Sequence, residues 1–250
     1  MTSVVIGDLH GYNSWEKIVQ HNPDADQFIF LGDYFDSKEL SVNDINNNFD
    51  KIIKFKELNP NKVHLLLGNH DYHYLHFTDS TYSGYNKQQD LIKDKLLSLI
   101  ENNILYPVYN EKGTSIVYSH AGITKTWLKN VCINKNDIYE LSIEINNLIK
   151  ISPALFDFVW EDFSTSLYGD NVYQSPIWVR PNSLVEDSVD DAIQIVGHTS
   201  PVGKSICNIT AGTSSVWLCD CLVNGYYLRI TNDENTGSTA FLIKNINLNN

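Results

Sequence analysis

The feature of this sequence that most constrains its fold is a motif that occurs five times: an apolar run ends in a small residue and polar side chains follow at once. Carboxylates, an amide and imidazoles supply those side chains. The segments are SVVIGDLHG, QFIFLGDYFD, KVHLLLGNHD, TSIVYSHAG and AIQIVGHTS. Short apolar runs bounded by small residues are typical of buried strands. The sequence therefore predicts strands that end in residues able to bind a ligand.

Segments with helical periodicity separate the first three of these strands. Residues 13–21 and 41–58 carry apolar side chains at helical spacing. Strand, helix, strand, helix, strand predicts a parallel sheet covered by helices. Ligands bind beyond the carboxyl ends of such strands, so the polar residues are expected to meet there. The last third of the chain is predicted to be β-rich, with a hairpin turn at Asn224–Gly225.

The chain is predicted to form a single domain over residues 1–250, because no composition break or Pro/Ser-rich linker divides it. Its hydrophobic content of 42% is enough for a buried core. Residues 152–191 are irregular and aromatic, and we expect this insertion to shape a pocket.

Charge and termini exclude several classes of protein. A net charge of −12 argues against duplex nucleic acid or an anionic membrane as the main partner, and against a nuclease. The N-terminus lacks a secretion signal and no apolar run is long enough to span a bilayer, which predicts a cytoplasmic protein. The four cysteines are then expected to be reduced, and Cys219 and Cys221 to be packing residues rather than zinc ligands. The sequence does not indicate the oligomeric state.

The chemistry of the strand ends fits two divalent ions about 3.5–4 Å apart, with a carboxylate between them. Mixed oxygen and nitrogen ligands suit manganese, iron, zinc or nickel, and manganese is our first expectation. Glycines beside the ligands permit close approach of the backbone. The candidate ligands are the acids, amide and imidazoles at the strand ends, namely Asp8, His10, Asp33, Asp36, Asn69, His70, Asp71, His120 and His198.

The order of these motifs, D-x-H, GD, GNH, HAG and GH, resembles the calcineurin-like metallophosphoesterase superfamily, and the resemblance spans Asp8 to His198. It implies an α/β fold, a β-sandwich of mixed sheets flanked by helices, with the metal site at the C-terminal ends of the strands. It also implies that Asp33 bridges two ions. Asp8, His10 and His198 would hold one ion, and Asn69 and His120 the other.

The resemblance further implies hydrolysis of a phosphoester by a water molecule that the two cations activate. It assigns protonation of the leaving group to His70, and Asp36 would orient that imidazole. Asn69 and Arg180 are candidate phosphate contacts, Arg180 because the arginine expected after Asp36 is missing. A surface ion pair explains Arg180 equally well.

Two branches of the superfamily remain open as substrate classes. Asp36 matches serine/threonine protein phosphatases, which makes phosphomonoester hydrolysis the first hypothesis. GNHDYHYL and VGHTSP match symmetrical diadenosine tetraphosphate hydrolases, which makes dinucleoside polyphosphate hydrolysis the second. The expected partner is therefore a phosphoprotein or a nucleotide, and a degenerate phosphate-binding scaffold is a third hypothesis.

The side chains that follow GNHD say less about the function of the protein. His73 and His76 could support the metal ligands or face the substrate, but the first expectation is that they are solvated loop histidines. Four tyrosines could stack a nucleobase or cover a loop core, and they are Tyr72, Tyr74, Tyr82 and Tyr85.

Overall fold

A computed structural model describes residues 1–77, 81–135, 137–160, 169–233 and 236–247. Their strands form two mixed sheets, as expected for this fold class. In the first sheet the strand order is β11-β10-β1-β2-β3-β4. Strands β1 to β4 are parallel, β10 pairs antiparallel with β1, and β11 pairs antiparallel with β10 at the edge of the sheet. The strands are β1 (Thr2–Ile6), β2 (Gln27–Phe30), β3 (Val63–Leu66), β4 (Leu105–Tyr106), β10 (Tyr226–Asp233) and β11 (Ser238–Asn245).

The second sheet has the order β5-β6-β7-β9-β8. Strands β6, β7 and β9 are parallel, whereas β5 and β8 pair antiparallel at the two edges. The strands are β5 (Val108–Asn110), β6 (Ile116–Ser119), β7 (Ile193–Val196), β8 (Cys207–Ala211) and β9 (Ser214–Leu218).

Helices cover the sheets and connect the parallel strands. Polar side chains begin three of them: Ser41, Thr124 and Asp137 each accept a hydrogen bond from a backbone N–H in the first turn. Among the described residues no helix is long and apolar enough to cross a membrane. The helices are α1 (Trp15–His21), α2 (Val42–Leu58), α3 (Asn69–Tyr72), α4 (Lys93–Glu101), α5 (Lys125–Asn130), α6 (Ile138–Ile151) and α7 (Pro181–Glu186).

The first sheet is buried on both faces, which explains its continuous apolar strands. In β1, Val4 and Ile6 pack with the helices, whereas Val5 faces the second sheet. Val5 belongs to a cluster that also contains Tyr118 and Ile195 from β6 and β7. Packing between the sheets therefore brings the carboxyl ends of β1 and β2 close to those of β6 and β7.

The predicted hairpin at Asn224–Gly225 is wrong. Strand β9 pairs within the second sheet and β10 within the first, so the chain crosses between sheets here. A short 3₁₀ turn, Leu222–Asn224, makes the crossing, and Gly225 follows with φ +81°. The Asn-Gly sequence provides the positive φ of a turn, but the strands on either side do not pair with each other. Strand pairing depends on partners elsewhere in the fold.

The predicted insertion at 152–191 is described in part, and residues 161–168 lie outside the described residues. It contains a 3₁₀ helix, Pro153–Phe156, and helix α7. The four cysteines are free thiols, as expected.

Candidate metal and phosphate site

The polar residues that follow five strands converge where the strands end. Asp8, Asp33 and Asn69 follow β1, β2 and β3 of the first sheet; His120 and His198 follow β6 and β7 of the second. Donor atoms of Asp8, Asp33 and His120 all lie within 4.8 Å of one another. The convergence expected from sheet geometry is therefore present, and it joins residues 190 positions apart at Asp8 and His198.

The backbone at this edge is strained at several of the predicted site residues. His10, Asp33, Asp36 and His198 have φ of +44°, +53°, +64° and +62°. Non-glycine residues adopt this left-handed region at a cost, and such strain concentrates at functional sites. The strained turns direct these side chains back across the strand ends.

Two glycines leave room for the acids. A Cβ at Gly68 would lie 2.2 Å from Asp33 Oδ1, and a Cβ at Gly197 would lie 2.1 Å from Asp8 Oδ1. Any larger residue at either position would displace a buried carboxylate. The glycines of GNH and GH are thus required by the packing around Asp33 and Asp8.

Three imidazole rings are each held by a hydrogen bond to a backbone carbonyl. His10 Nδ1, His120 Nδ1 and His198 Nε2 lie 2.9, 2.8 and 3.1 Å from the backbone carbonyls of Phe35, Leu31 and Trp178. A carbonyl only accepts, so each of these nitrogens carries the proton and donates. The other nitrogen of each ring keeps its lone pair, which is the arrangement found around metal-binding histidines.

The free nitrogens face other acceptor atoms. His120 Nε2 and His198 Nδ1 lie 2.8 and 2.9 Å from Asn69 Oδ1, and His10 Nε2 lies 3.8 Å from Asp33 Oδ2. Lone pairs that face one another at these distances repel unless a cation lies among them. The donor set of this cluster therefore fits divalent metal ions.

The ring of His198 lies with Asn69 and His120, whereas the family resemblance grouped it with Asp8 and His10. Its ring centroid is 5.0 Å from that of His120, and its backbone N–H donates to both Asp8 oxygens at 3.0 and 3.1 Å. The reason is topological: β7 is the neighbour of β6 in the second sheet. His198 thus reaches the Asp8 side through its backbone only.

The buried carboxyl groups of the site also indicate that it binds a cation. Burial raises the pKa of the Asp8 carboxyl well above its usual range, and the negative charges of Asp220 and Asp33 raise it further. Burial also opposes ionisation of Asp33, but the imidazoles around it hold its pKa below the usual value. Burial lowers the pKa of His120 and His198, which favours the neutral, metal-binding form of both rings. Cations would remove the repulsion between the acids.

Asp71, one of the acids at the strand ends, has a structural role. Its carboxylate accepts backbone N–H groups of Gly68, Asp33 and Tyr34 at 2.8, 2.9 and 2.7 Å. It thereby joins the turn after β2 to the turn after β3. The sequence signal was its position in the first turn of α3, where acids commonly bind free N–H groups.

His70 and Asp36 form the pair that the resemblance implies. His70 Nδ1 donates to Asp36 Oδ2 at 2.8 Å, and the backbone N–H of His70 donates to Asp33 Oδ1 at 2.9 Å. Burial opposes protonation of His70, but the Asp33 charge and the Asp36 hydrogen bond raise its pKa to about 9. Its ring centroid is 5.3 Å from that of His10. The contacts with Asp33 and Asp36 favour the protonated form of His70 beside the candidate metal ligands.

The prediction that His73 is a solvated loop histidine is wrong. Its side chain has 0% exposure, and its Nε2 lies 2.7 Å from Asp36 Oδ2 as an ion-pair contact. The Tyr74 hydroxyl donates to the other Asp36 oxygen. Burial opposes ionisation of Asp36, yet His70 and His73 lower its pKa to about 2. His76 is partly exposed, as expected, and contacts Asp90.

The structure places Arg180 beside the acids. Its guanidinium donates to the His198 carbonyl at 3.1 Å and to Thr199 Oγ1 at 3.0 Å. Burial lowers the pKa of Arg180, and the charges of Asp8 and Asp33 oppose that shift. Of the four tyrosines, Tyr72 and Tyr74 are buried, so base stacking on them is ruled out; Tyr82 and Tyr85 are partly exposed.

Curated relatives with similar sequences are symmetrical bis(5'-nucleosyl)-tetraphosphatases. The protein from Erwinia tasmaniensis is 32% identical over 141 residues, which cover 51% of this chain and 46% of that protein. The Salmonella typhimurium protein is 30% identical over 141 residues, covering 51% and 45%. The match therefore spans less than half the length of each relative.

Solved structures of similar fold include a metallophosphoesterase from Sphaerobacter thermophilus, with 11% identity and a TM-score of 0.49, covering 98% of this chain and 88% of that one. A dimetal phosphatase from Danio rerio has 12% identity and a TM-score of 0.47, covering 98% and 96%. These similarities add nothing to the assignment of function.

A family model gives the assignment. The model of calcineurin-like phosphoesterases matches residues 1–207, which contain all the candidate site residues described above. With its strand-end acids, amide and imidazoles in the family's order, this chain belongs to the calcineurin-like phosphoesterase family.

Proposed function

We propose that this chain is a metal-dependent hydrolase of dinucleoside polyphosphates that splits its substrate symmetrically. The observation that carries the substrate class is the similarity to symmetrical bis(5'-nucleosyl)-tetraphosphatases. The reaction class rests on family membership and on the donor set at the strand ends. This choice reverses the order of our two sequence-based hypotheses.

We assign the metal ligands to the residues around Asp33. Oδ2 of Asp33 faces His10 at 3.8 Å and Oδ1 faces His120 at 3.4 Å, which suits a bridging role. Two divalent ions there would polarise the phosphoryl oxygens and make water a stronger nucleophile. Asp8 and His10 would complete one side, and Asn69, His120 and His198 the other. Manganese is the first metal to test.

We assign proton delivery to His70. Asp36 holds its Nδ1–H at 2.8 Å, so Nε2 is the atom that gives its proton to the leaving phosphate. We assign phosphate binding to Arg180, whose planar fork would bind phosphate oxygens of the substrate. The hydrogen bonds of Arg180 to His198 and Thr199 hold the side chain in place.

The second candidate function is hydrolysis of phosphomonoesters in the manner of protein phosphatases. The Asp36–His70 pair favours it, because the GD-x-x-D form of the motif is typical of those enzymes. The pair serves any reaction whose leaving oxygen needs a proton, so it does not by itself select the substrate.

The deciding experiment compares three substrates with manganese-loaded protein: diadenosine tetraphosphate, a phosphoserine peptide and p-nitrophenyl phosphate. Two molecules of ADP from each dinucleotide, at the highest kcat/KM of the three, are the expected result. A preference for the phosphopeptide would establish the second candidate. No turnover of any substrate by the wild type, with Asp33→Asn as the inactive reference, would favour a phosphate-binding scaffold.

A further inference from the structure

A row of aromatic side chains leads from the candidate metal site to the surface. We call Trp178, Phe158 and Trp160 the aromatic row. The Trp178 ring is 6.1 Å from the His198 ring, the Phe158 ring is 5.1 Å from Trp178, and the Trp160 ring is 4.8 Å from Phe158. Each contact in this series is edge-to-face. The row therefore connects a candidate metal ligand to an outer tryptophan through three ring contacts.

The exposure of the row increases outward. Trp178 is 5% exposed, whereas Trp160 is 75% exposed. Phe158 lies between them and is partly buried. Tyr82 packs against the inner end, 4.3 Å from the Trp178 ring. The inner ring is thus part of the core, and the outer ring offers a large π surface to solvent.

The backbone under the row is fixed in place. Gln174 is buried and holds Val159 at both polar groups: its Oε1 accepts from the Val159 N–H at 3.0 Å, and its Nε2 donates to the Val159 carbonyl at 2.9 Å. The Phe158 N–H donates to the Tyr82 hydroxyl at 3.3 Å. Trp160 follows directly on this anchored stretch. Its exposure is therefore a property of a positioned segment.

The inner end of the row lies where the polyphosphate would bind. Trp178 is two residues from Arg180, and its carbonyl accepts the hydrogen bond that orients His198. In a nucleoside diphosphate, a ribose and one further phosphate separate the base from the terminal phosphorus. A substrate with that phosphorus at the strand ends must place its base some distance away, and Trp160 is an exposed ring at the outer end of the row that begins beside the site.

We propose that Trp160, backed by Phe158, is the nucleobase subsite of this enzyme, where one base of the dinucleotide stacks. This assignment rests on the proposed function and adds the residue that selects nucleotides over simple phosphoesters. Stacking uses the π face that every base has, so the subsite is expected to accept adenine and guanine dinucleotides alike.

The test compares Trp160→Ala with Trp160→Phe, and Tyr173→Ala serves as the matched control, since Tyr173 is 41% exposed and lies outside the row. Loss of stacking is expected to raise KM for diadenosine tetraphosphate about 10-fold or more in Trp160→Ala. Trp160→Phe is expected to recover most of that loss. Turnover of p-nitrophenyl phosphate should stay within about twofold of wild type in all three variants.

A binding measurement separates failure of the subsite from failure of the proposed function. ADP and inorganic pyrophosphate are titrated calorimetrically into metal-loaded wild type and Trp160→Ala. The subsite is supported if only ADP loses affinity in the variant, even where the wild type does not cleave the dinucleotide. It is overturned if Trp160→Ala binds ADP as tightly as wild type, or if the two ligands weaken equally, even where the dinucleotide is cleaved.

Discussion

The strand-end residues and the residues that surround them differ in how they are held. The strand-end group consists of Asp8, Asp33 and His120, which follow buried strands. Their donor atoms lie within 4.8 Å of one another. His73 and Tyr74 lie in a short 3₁₀ helix and Trp160 in an irregular segment, and all three depend on individual side-chain contacts. The first group has the chemistry for metal binding, and in our proposals the second adjusts proton delivery and substrate choice. We therefore expect that loss of a strand-end residue abolishes activity, whereas loss of a surrounding residue lowers activity only in part.

The largest expected effect is that of Asp33→Asn. Removing the carboxylate between the two halves of the site should lower kcat by more than the roughly 10–100-fold typical of residues that only support metal ligands. Bound metal per chain, from elemental analysis, should fall in parallel. Asn tolerates the positive φ at this position, so the fold should survive.

The control for that change is Asp24→Asn, which removes an exposed partner of Arg229. Thermal unfolding of the metal-free proteins provides a second check. Because the surrounding imidazoles favour the ionised Asp33 carboxylate in the folded state, the melting temperature of metal-free Asp33→Asn should fall slightly below that of wild type. Full metal content in Asp33→Asn would contradict the bridging assignment.

His70→Asn should give the next largest effect, a fall in kcat of about 10²–10⁴-fold on an alkyl phosphate, whose leaving group needs a proton. The loss should be much smaller on p-nitrophenyl phosphate, whose leaving group is stable as an anion. Metal content should match wild type, because His70 contacts Asp33 through its backbone N–H. Equal losses on both substrates would remove the general-acid role.

A smaller effect is expected for His73→Gln. His73 contacts Asp36 from the buried side, so its loss should loosen the carboxylate that holds His70 and lower kcat about tenfold, the scale of a supporting contact. His76→Gln is the matched control, a partly exposed histidine three positions on. KM and metal content should not change. A fall in His76→Gln as large as that in His73→Gln would show that the effect is not specific to Asp36.

The smallest effect lies away from the site, at His64 on β3. Burial, with the nearby Lys56 charge, lowers the pKa of His64 to about 3. The folded pKa is depressed, so the unfolded state binds the extra proton as pH falls below about 6.5. The contribution of neutral His64 to the free energy of unfolding should therefore be complete above that pH. It should decline toward pH 3, by at most about 1.4 kcal/mol per pH unit. Urea unfolding of wild type and His64→Gln from pH 7 to 5 checks this, and parallel curves would disprove it.

Sheet geometry explains how much could be predicted from the sequence. Parallel strands place their carboxyl ends at one edge, so the approach of Asp8, Asp33 and Asn69 could be expected from the order of the motifs. His120 follows a strand of the second sheet, so its approach depends on how the two sheets pack. The sequence could not give the grouping of the His198 ring, because that depends on which strand is next to β7.

Tertiary contacts decide the remaining features. His73 follows GNHD by a short interval and resembles a loop residue, yet α3 and the following 3₁₀ turn direct it inward onto Asp36. Asn224–Gly225 has hairpin composition, but the strands on either side join different sheets. Neither outcome is encoded in local pattern, since both depend on partners distant in the chain.

The position of β1 has a consequence for how the protein is made. β1 is an interior strand that pairs with β2 on one side and with β10 on the other, and the Met1 amino group donates to the Asn232 carbonyl across 231 positions. All candidate metal ligands precede residue 199, whereas β10 begins at Tyr226. A growing chain with every ligand in place still has an open sheet edge at β1 until β10 emerges from the ribosome. The first sheet is therefore expected to be complete only after β10 has been synthesised, well after the last candidate ligand has been added.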